Sequence, residues 1–170
     1  MRSVTAALLG SLLFFLIAPV AVAGWGPYLV SGWQMHPPFL GVRAGRLLGG
    51  GLIAAALLGL LESFGRFALK GRGTPAPIAP PEYLVVSGLY RHVRNPMYVA
   101  LVVLLFGQAL LLGSVVLLEY AAIALLLFHV FVVTYEEPTL RRQFGASYND
   151  YCTRVSRWFP RLRPWTGPGT

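Results

Sequence analysis

Charged side chains are scarce in this chain. Lysine, arginine, aspartate and glutamate make up 12% of its 170 residues, whereas 56% are hydrophobic. Soluble domains carry about 25% charged residues. This composition argues against a water-soluble domain and predicts an integral membrane protein.

Several kinds of site lack the residues they need. The single cysteine, Cys152, excludes an intramolecular disulfide and offers no metal cluster. No histidine, cysteine or carboxylate pattern has metal-ligand spacing, no Gly-x-Ser-x-Gly nucleophile context occurs, and no glycine-rich phosphate loop precedes a helix. Metal, activated-serine and phosphate-loop chemistry are therefore set aside, and no metal is predicted.

Acidic residues are also few, six against fourteen basic ones, and the net charge is +8. No nucleic-acid partner is predicted, because a soluble basic binder would not carry apolar runs of bilayer length. With four spans, twelve of the fourteen basic residues fall on one side, and only Arg43 and Arg46 on the other. The positive-inside rule then places both termini in the cytoplasm, at a bacterial-type inner or plasma membrane.

Long apolar runs predict an all-α fold in a single membrane domain, residues 1–170. Four transmembrane helices are expected, followed by a C-terminal amphipathic interfacial helix; the spans are about 4–23, 43–69, 96–113 and 115–135. The segments 82–98 and 136–160 are expected on the cytoplasmic side.

The first run allows two interpretations. Residues 4–23 are uncharged and would be about 30 Å long as a helix, which matches the hydrocarbon core. The same run, ending in the small-residue triplet 21–23, is also typical of a cleaved signal peptide. The following residues 24–41, rich in proline and aromatic residues, predict an interfacial loop.

The last two spans are predicted to form a hairpin. Residues 97–135 carry Glu119 as their only formal charge and would be roughly 58 Å long as one helix, about twice a bilayer. Gly113 and Ser114 supply the break between two antiparallel helices.

Polar residues stand at both open ends of this hairpin. Pro96 suits the first position of a helix, and Asn95 is expected to cap it. Glu136 and Glu137 follow the second helix and would return to the same end. Carboxylates suit a ligand with a cationic amine or sulfonium, and tyrosine faces such as Tyr98 suit an adenine or a cation.

Beyond the glutamates the chain is basic and amphipathic. One helical face recurs at intervals of three or four residues; it consists of Leu140, Phe144, Tyr148, Tyr151 and Val155. This pattern predicts a helix that lies on the membrane surface, with its arginines toward anionic lipid.

As an ordered set, these motifs resemble the isoprenylcysteine carboxyl methyltransferase and phospholipid methyltransferase superfamily. The resemblance covers about residues 83–160. It is carried by Gly88-Leu-Tyr-Arg-His-Val-Arg-Asn-Pro-Met-Tyr98, then Glu136-Glu137-x-x-Leu140, Phe144-Gly145, Tyr148-x-x-Tyr151, Val155 and Pro160.

The resemblance implies S-adenosylmethionine bound in a cytosol-facing pocket, with a membrane lipid or hydrophobic small molecule as the methyl acceptor. Glu136 would hold the amine of the cofactor. The other implied cofactor-binding residues are Tyr83, Leu84, Val85, Tyr90, Asn95, Pro96, Met97 and Tyr98.

Two positions depart from the isoprenylcysteine enzymes. Asn95 stands where those enzymes usually have histidine, which rules out base catalysis at this position. Val132 stands where they carry an arginine associated with the substrate carboxylate. A carboxylate substrate would therefore depend on Arg94, Arg141 or Arg142.

The leading hypothesis is in-line transfer of a sulfonium methyl group to a lipid-like acceptor. If the acceptor is an amine, Glu137 or water would take its proton. Two alternatives remain open at this stage. One is a non-catalytic four-helix protein that binds lipid or serves as an accessory subunit, and the other keeps the cofactor site without turnover.

Overall fold

The computed structural model describes residues 17–71 and 83–167. Residues 4–16 of the first predicted span, and residue 82, lie outside these ranges. Within the described ranges every regular element is helical and no strand occurs. The prediction of an all-α fold is therefore confirmed.

Five helices follow one another in the described chain. They are α1 (Ile17–Ser31), α2 (Ala44–Gly71), α3 (Pro96–Leu112), α4 (Val115–Phe131) and α5 (Glu137–Arg154). Two π turns interrupt the α-helical geometry, Ala21–Trp25 within α1 and Val132–Glu136 between α4 and α5. A short 3-10 turn, Gly88–Arg91, precedes α3.

Two helices of the described chain are long and apolar enough to cross a membrane, Ala44–Arg66 and Val115–Arg154. The second has 40 residues, which is about 60 Å of helix and twice a hydrocarbon core. The predicted fourth span, residues 115–135, has the length of one crossing, and Glu136 and Glu137 follow it in the chain. The helices α1 and α3 are apolar but shorter, and the prediction of four spans stays a prediction.

Helices α2 and α3 form the centre of the fold, and small residues bring them together. A Cβ atom added to Gly49 would lie 2.7 Å from the carbonyl oxygen of Gly107, and one added to Gly107 would lie 2.9 Å from that of Gly49. Leu60, Leu105 and Ala121 are almost fully buried in the core around this contact. Glycine at these two positions therefore allows the backbones of α2 and α3 to approach closely.

The predicted interfacial loop at 24–41 is wrong in its first part, because α1 remains helical to Ser31. Pro27 has no N–H to donate, yet the helix continues through the π turn that precedes it. Two carbonyl groups of this π turn accept hydrogen bonds from side chains of other helices. Gln108 Nε2 donates to the carbonyl of Ala23 at 2.7 Å, and Tyr120 Oη donates to that of Val22 at 2.9 Å.

The predicted hairpin of α3 and α4 is confirmed. Gly113 ends α3 in the left-handed conformation with φ of 66°, and Ser114 Oγ accepts from the N–H of Leu117 at 3.4 Å. At the other end Asn95 occupies the predicted N-cap position of α3, but its side chain makes no cap hydrogen bond. Its amide nitrogen donates to the carbonyl of Arg157 at 3.2 Å.

The apolar face of α5 is covered by protein and does not lie free on a membrane surface. Tyr148, Tyr151 and Val155 are 1–3% exposed. They form a second core with Val86, and the predicted members Leu140 and Phe144 pack against it. The sequence pattern identified the buried face correctly, but the segment before α3, which covers that face, lies more than fifty residues away in the chain.

Candidate functional site

The α3–α4 hairpin brings Tyr98 and Glu136 together. Tyr98 stands in the first turn of α3, and Glu136 is the last residue of the second π turn. Tyr98 Oη donates to Glu136 Oε2 at 3.0 Å. The Tyr98 ring packs against Phe128 of α4 with 5.0 Å between centroids. The two predicted polar clusters therefore meet at one end of the hairpin.

A proline explains why the helix widens next to this contact. Pro138 cannot donate a backbone hydrogen bond, and its ring crowds the carbonyl four residues earlier. The chain responds with the five-residue π turn Val132–Glu136, in which the N–H of Glu137 reaches back to the carbonyl of Val132. The consecutive residues Glu136 and Glu137 then point into different surroundings.

Glu136 has no cationic partner in the part of the chain that the structure describes. Within the described residues no arginine, lysine or histidine forms an ion pair with it, and Tyr98 is its hydrogen-bond donor. Burial raises the pKa of Glu136 to about 7; the Tyr98 hydrogen bond acts in the opposite direction, and the charge of Glu137 adds to the rise. Such a carboxylate would gain energy from a ligand that brings a positive charge.

Glu137 has the opposite environment. It is 5% exposed. Arg157 donates two hydrogen bonds to its carboxylate, Nε to Oε1 at 2.6 Å and Nη2 to Oε2 at 3.0 Å. Arg94 Nη1 lies 2.9 Å from Oε1, and Arg141 Nη2 lies 4.0 Å from Oε2.

The arginines decide the ionisation of this group. Burial works to raise the pKa of Glu137, but the hydrogen bond from Arg157 and the charges of Arg94, Arg157 and Arg141 outweigh it and hold the pKa below its usual range. A carboxylate in this state is a weak base, so its surroundings favour an ion-pair role.

The C-terminal strap, residues 155–167, closes over the segment that leads into α3. The backbone N–H of Arg94 donates to the carbonyl of Ser156 at 2.9 Å, that of Arg161 to His92 at 2.9 Å, and that of Trp165 to Arg91 at 3.0 Å. These bonds, together with the Asn95 side chain, hold the strap beside the entrance to α3.

Tyr90 lies deep between the two clusters and is 5% exposed. Tyr151 Oη donates to its carbonyl at 2.6 Å. Burial raises the pKa of Tyr90 well above its ordinary value, and the charges of Glu136 and Glu62 add to the rise. Its hydroxyl is therefore within electrostatic reach of both carboxylates.

The remaining predicted site residues occupy several environments. Tyr83 is 53% exposed, whereas Val85 is buried and Leu84 packs on the second core. Pro96 is the buried first residue of α3, and Met97 packs against the main core. Their roles toward a cofactor stay predictions.

The two arginines predicted to bind substrate are both in contact with Glu137. Arg94 also donates to Cys152 Sγ at 2.8 Å. Arg141 is more exposed and donates to Asn149 Oδ1 at 2.6 Å. Their guanidinium groups are thus already engaged with residues of α5.

Arg157 is the functional residue that the sequence pattern missed. It lies twenty residues beyond Glu137, in a basic stretch that otherwise suggests membrane topology. No local periodicity joins the two, because α5 is broken at Gly145, where φ is 53° and ψ is −123°, and this break brings the chain beyond it back to Glu137.

The family comparison agrees with this geometry. The profile of the phospholipid methyltransferase family matches residues 45–147, well over half of the chain. The chain belongs to the phospholipid methyltransferase family. The match runs from the start of α2 into α5, and so includes Tyr98, Glu136 and Glu137.

Two characterised proteins resemble part of this family member. One is a nickel-cobalt-cadmium resistance protein, NccN, of Alcaligenes xylosoxydans xylosoxydans, 34% identical over 79 residues. The other is the protein-S-isoprenylcysteine O-methyltransferase of Schizosaccharomyces pombe, also 34% identical over 79 residues. Each alignment covers 46% of this chain but only 37% and 34% of the respective relative. The matched part is thus about a third of either relative.

Proposed function

We propose that this protein transfers a methyl group from S-adenosylmethionine to a lipid-like or hydrophobic acceptor at the membrane–cytosol interface. The observation that carries the proposal is the contrast between neighbouring carboxylates: among the described residues Glu136 has no cationic partner, whereas Glu137 has three. A buried carboxylate that no protein cation neutralises is suited to a positively charged ligand.

The residues present fit this cofactor. Glu136 would receive its ammonium group, and Tyr98 holds the carboxylate in place through the hydrogen bond to Oε2. The N-terminus of α3 offers partial positive charge to a carboxylate. When bound, S-adenosylmethionine supplies an electrophilic methyl group on a sulfonium sulfur.

Other side chains would order and shield the site. Glu137 fastens α5 to Arg94 and to Arg157 of the strap, so the adjacent Glu136 is held in one position. The second core beneath the strap keeps water out. For an amine acceptor we assign proton acceptance to water, since the pKa of Glu137 is lowered by its arginines.

We further propose that all four predicted helices span the bilayer with the site on the cytoplasmic side. The basic residues at 66–94 and 141–163 then share the side that holds Glu136. A lipid acceptor could approach through the exposed apolar face of α4 without leaving the membrane.

Calorimetric titration of the detergent-solubilised full chain with S-adenosylmethionine tests the proposal. Glu136→Gln keeps the shape of the side chain and removes its charge, so affinity should fall at least about thirtyfold, as when one partner of a buried charge pair is removed. Tyr98→Phe should cost about three- to tenfold, one hydrogen bond. Glu119→Gln, which neutralises an exposed carboxylate of α4, is the matched control.

Absence of binding by the unaltered protein, or equal affinity in Glu136→Gln, would overturn the proposal. Turnover needs a second assay. Incubation with membrane lipids and methyl-labelled cofactor, followed by mass spectrometry, should show a labelled lipid; binding without any labelled product would identify a member that keeps the site but not the activity.

A further inference from the structure

His129 of α4 and Trp158 of the strap form a contact that the function proposed above does not use. Trp158 Nε1 donates to His129 Nδ1 at 3.0 Å, and the centroids of the two rings are 6.0 Å apart. The strap is thereby joined to α4 as well as to the segment before α3.

The chemistry of this hydrogen bond depends on the protonation state of His129. An indole N–H can only donate, so the imidazole must offer an unprotonated Nδ1 as the acceptor. In the neutral ring the proton then lies on Nε2. When the ring takes up a second proton, both nitrogens become donors, and Nδ1 can no longer accept from Trp158. Protonation of this one side chain therefore removes the bond.

The surroundings of His129 supply no counter-charge for a protonated ring. Among the described residues no carboxylate forms an ion pair with it, and residues 124–134 of the chain contain no other titratable side chain. The titratable and charged groups on the facing elements have other partners: Tyr98 bonds to Glu136, Arg94 and Arg157 pair with Glu137, His92 contacts the carbonyl of Arg161, and Arg161 donates to that of Arg154.

Trp158 forms part of the wall of an apolar cavity. The cavity has a volume of about 470 Å³ and lies between α3, α4 and the strap. Valines of α3, leucines of α4 and Phe159 line it together with His129 and Trp158. Phe159 is 82% exposed, so its ring does not anchor the strap here. Loss of the Trp158 bond would therefore open this wall of the cavity.

The movement is confined to a short part of the strap. The carbonyl of Ser156 accepts from Arg94, and the N–H of Arg161 donates to His92. These backbone bonds stand on either side of Trp158 and do not depend on His129. Release of the indole therefore frees the residues between them and leaves the rest of the strap in place.

The position of the contact makes it accessible to protons from water. His129 is exposed and stands six residues before the end of the predicted fourth span, about 9 Å along the helix. Tryptophan is enriched where the hydrocarbon meets water, and Arg157 and Arg161 flank Trp158 in the strap. A proton thus reaches His129 without crossing the bilayer.

We propose that the bond between Trp158 and His129 is a pH-sensitive latch, which holds the strap over the apolar cavity while His129 is neutral and releases it when His129 is protonated. Histidine is the side chain whose charge ordinarily changes between about pH 5 and 8. The closed state therefore belongs to the upper part of this range and the open state to the lower part. The latch stands apart from the proposed function, since neither residue is assigned to the cofactor.

Nuclear magnetic resonance of the indole N–H groups in the detergent-solubilised full chain tests this inference. Isotopically labelled tryptophan gives a signal for each of the four tryptophans, and the signal missing in Trp158→Phe identifies Trp158. Between about pH 8 and about pH 5.5 this signal should shift from the position of a bonded indole to the position found in His129→Leu, which offers no acceptor at any pH.

Two variants serve as controls for the titration. His129→Asn places an amide oxygen near the position of Nδ1 but takes up no proton, so its Trp158 signal should not change with pH. Glu136→Gln removes another group that titrates in this range and should leave the Trp158 titration as it is. A Trp158 signal that does not move in the unaltered protein, or that moves equally in His129→Asn, would overturn the latch.

Limited proteolysis measures the opening itself. Trypsin cleaves after Arg157, within the part of the strap that the latch holds. At one fixed, slightly alkaline pH, cleavage there should be about fivefold faster in His129→Leu than in the unaltered protein, because one hydrogen bond contributes roughly 1 kcal/mol. Equal rates in the two proteins would show that the strap stays closed without the bond, and would overturn the inference.

Titration of the same samples with S-adenosylmethionine keeps the two proposals apart. Cofactor binding by a protein whose Trp158 signal does not respond to pH overturns the latch and leaves the proposed function standing. A Trp158 titration that depends on His129, without cofactor binding, supports the latch and overturns the proposed function.

Discussion

The two π turns of the described chain arise from the same local cause. Ala21–Trp25 ends two residues before Pro27, and Val132–Glu136 ends two residues before Pro138. In each, the next N–H bonds to a carbonyl five residues earlier. A proline that cannot donate is accommodated by widening the helix by one residue.

Their surroundings make them different. At the first π turn the neighbouring helices contact the backbone, since the side chains of Gln108 and Tyr120 donate hydrogen bonds to its carbonyl groups. At the second turn the side chains are used, since Glu136 meets Tyr98 while Glu137 meets the arginines. The same kind of π turn therefore contributes to packing in α1 and positions the residues of a candidate site after α4.

The largest expected effect is on folding at the second turn. Glu137→Gln leaves Arg94 and Arg157 without their carboxylate, and should lower the free energy of unfolding by about 3 kcal/mol. This value is at the low end of the range for breaking a buried ion pair, because Arg157 is partly exposed to solvent. Unfolding by sodium dodecyl sulfate in mixed micelles measures it. Glu136→Gln, the adjacent control, should change the free energy of unfolding by less than about 1 kcal/mol. An equal loss of stability in both variants would contradict the assignment of Glu137 to the fold and Glu136 to the ligand.

The next effect concerns the pH dependence of cofactor binding. The pKa of Glu136 is raised to about 7, and its ionised form is the one that would bind an ammonium group. Affinity for S-adenosylmethionine should therefore fall about tenfold per pH unit below about pH 7, as the carboxylate takes up a proton. Calorimetric titrations over roughly three pH units, from about 5.5 to about 8.5, measure this pH dependence of the affinity.

The same titration of Glu136→Gln is the control for that experiment. Its residual affinity should not change with pH over this interval. A pH dependence that survives in Glu136→Gln would assign the titrating group elsewhere and remove the contrast between the two glutamates.

The smallest expected effect is at the first π turn. Tyr120→Phe and Gln108→Leu each remove a donor to a carbonyl of α1, and should cost about 1 kcal/mol of unfolding free energy. Cofactor affinity should stay within about twofold, because neither side chain is near Glu136. Tyr135→Phe, at the second turn, removes a hydroxyl from a 45% exposed side chain and should leave stability unchanged. Loss of cofactor binding in Tyr120→Phe would show that the two turns are coupled.

Local sequence was sufficient to locate several of the helices. Apolar runs located α2 and the α3–α4 hairpin, and Gly113 with Ser114 marked the reversal, since these depend on residues adjacent in the chain. It failed at Pro27, where a loop was expected, because the donors that satisfy the widened helix come from α3 and α4. At Asn95 it located the N-cap position but not the side-chain contact, in which the amide nitrogen donates to the carbonyl of Arg157 in the strap.

The sequence alone determined that this protein is helical, rich in membrane-compatible segments and similar to the methyltransferase superfamily, because composition, apolar length and ordered motifs are local properties. Tertiary structure decided how two consecutive glutamates differ. Glu137 pairs with Arg94 and Arg157 from other segments, whereas Glu136 is buried beside Tyr98 and has no cationic partner in the described parts of the chain. Ionisation depends on burial and on nearby charge, and both are set only when the chain has folded.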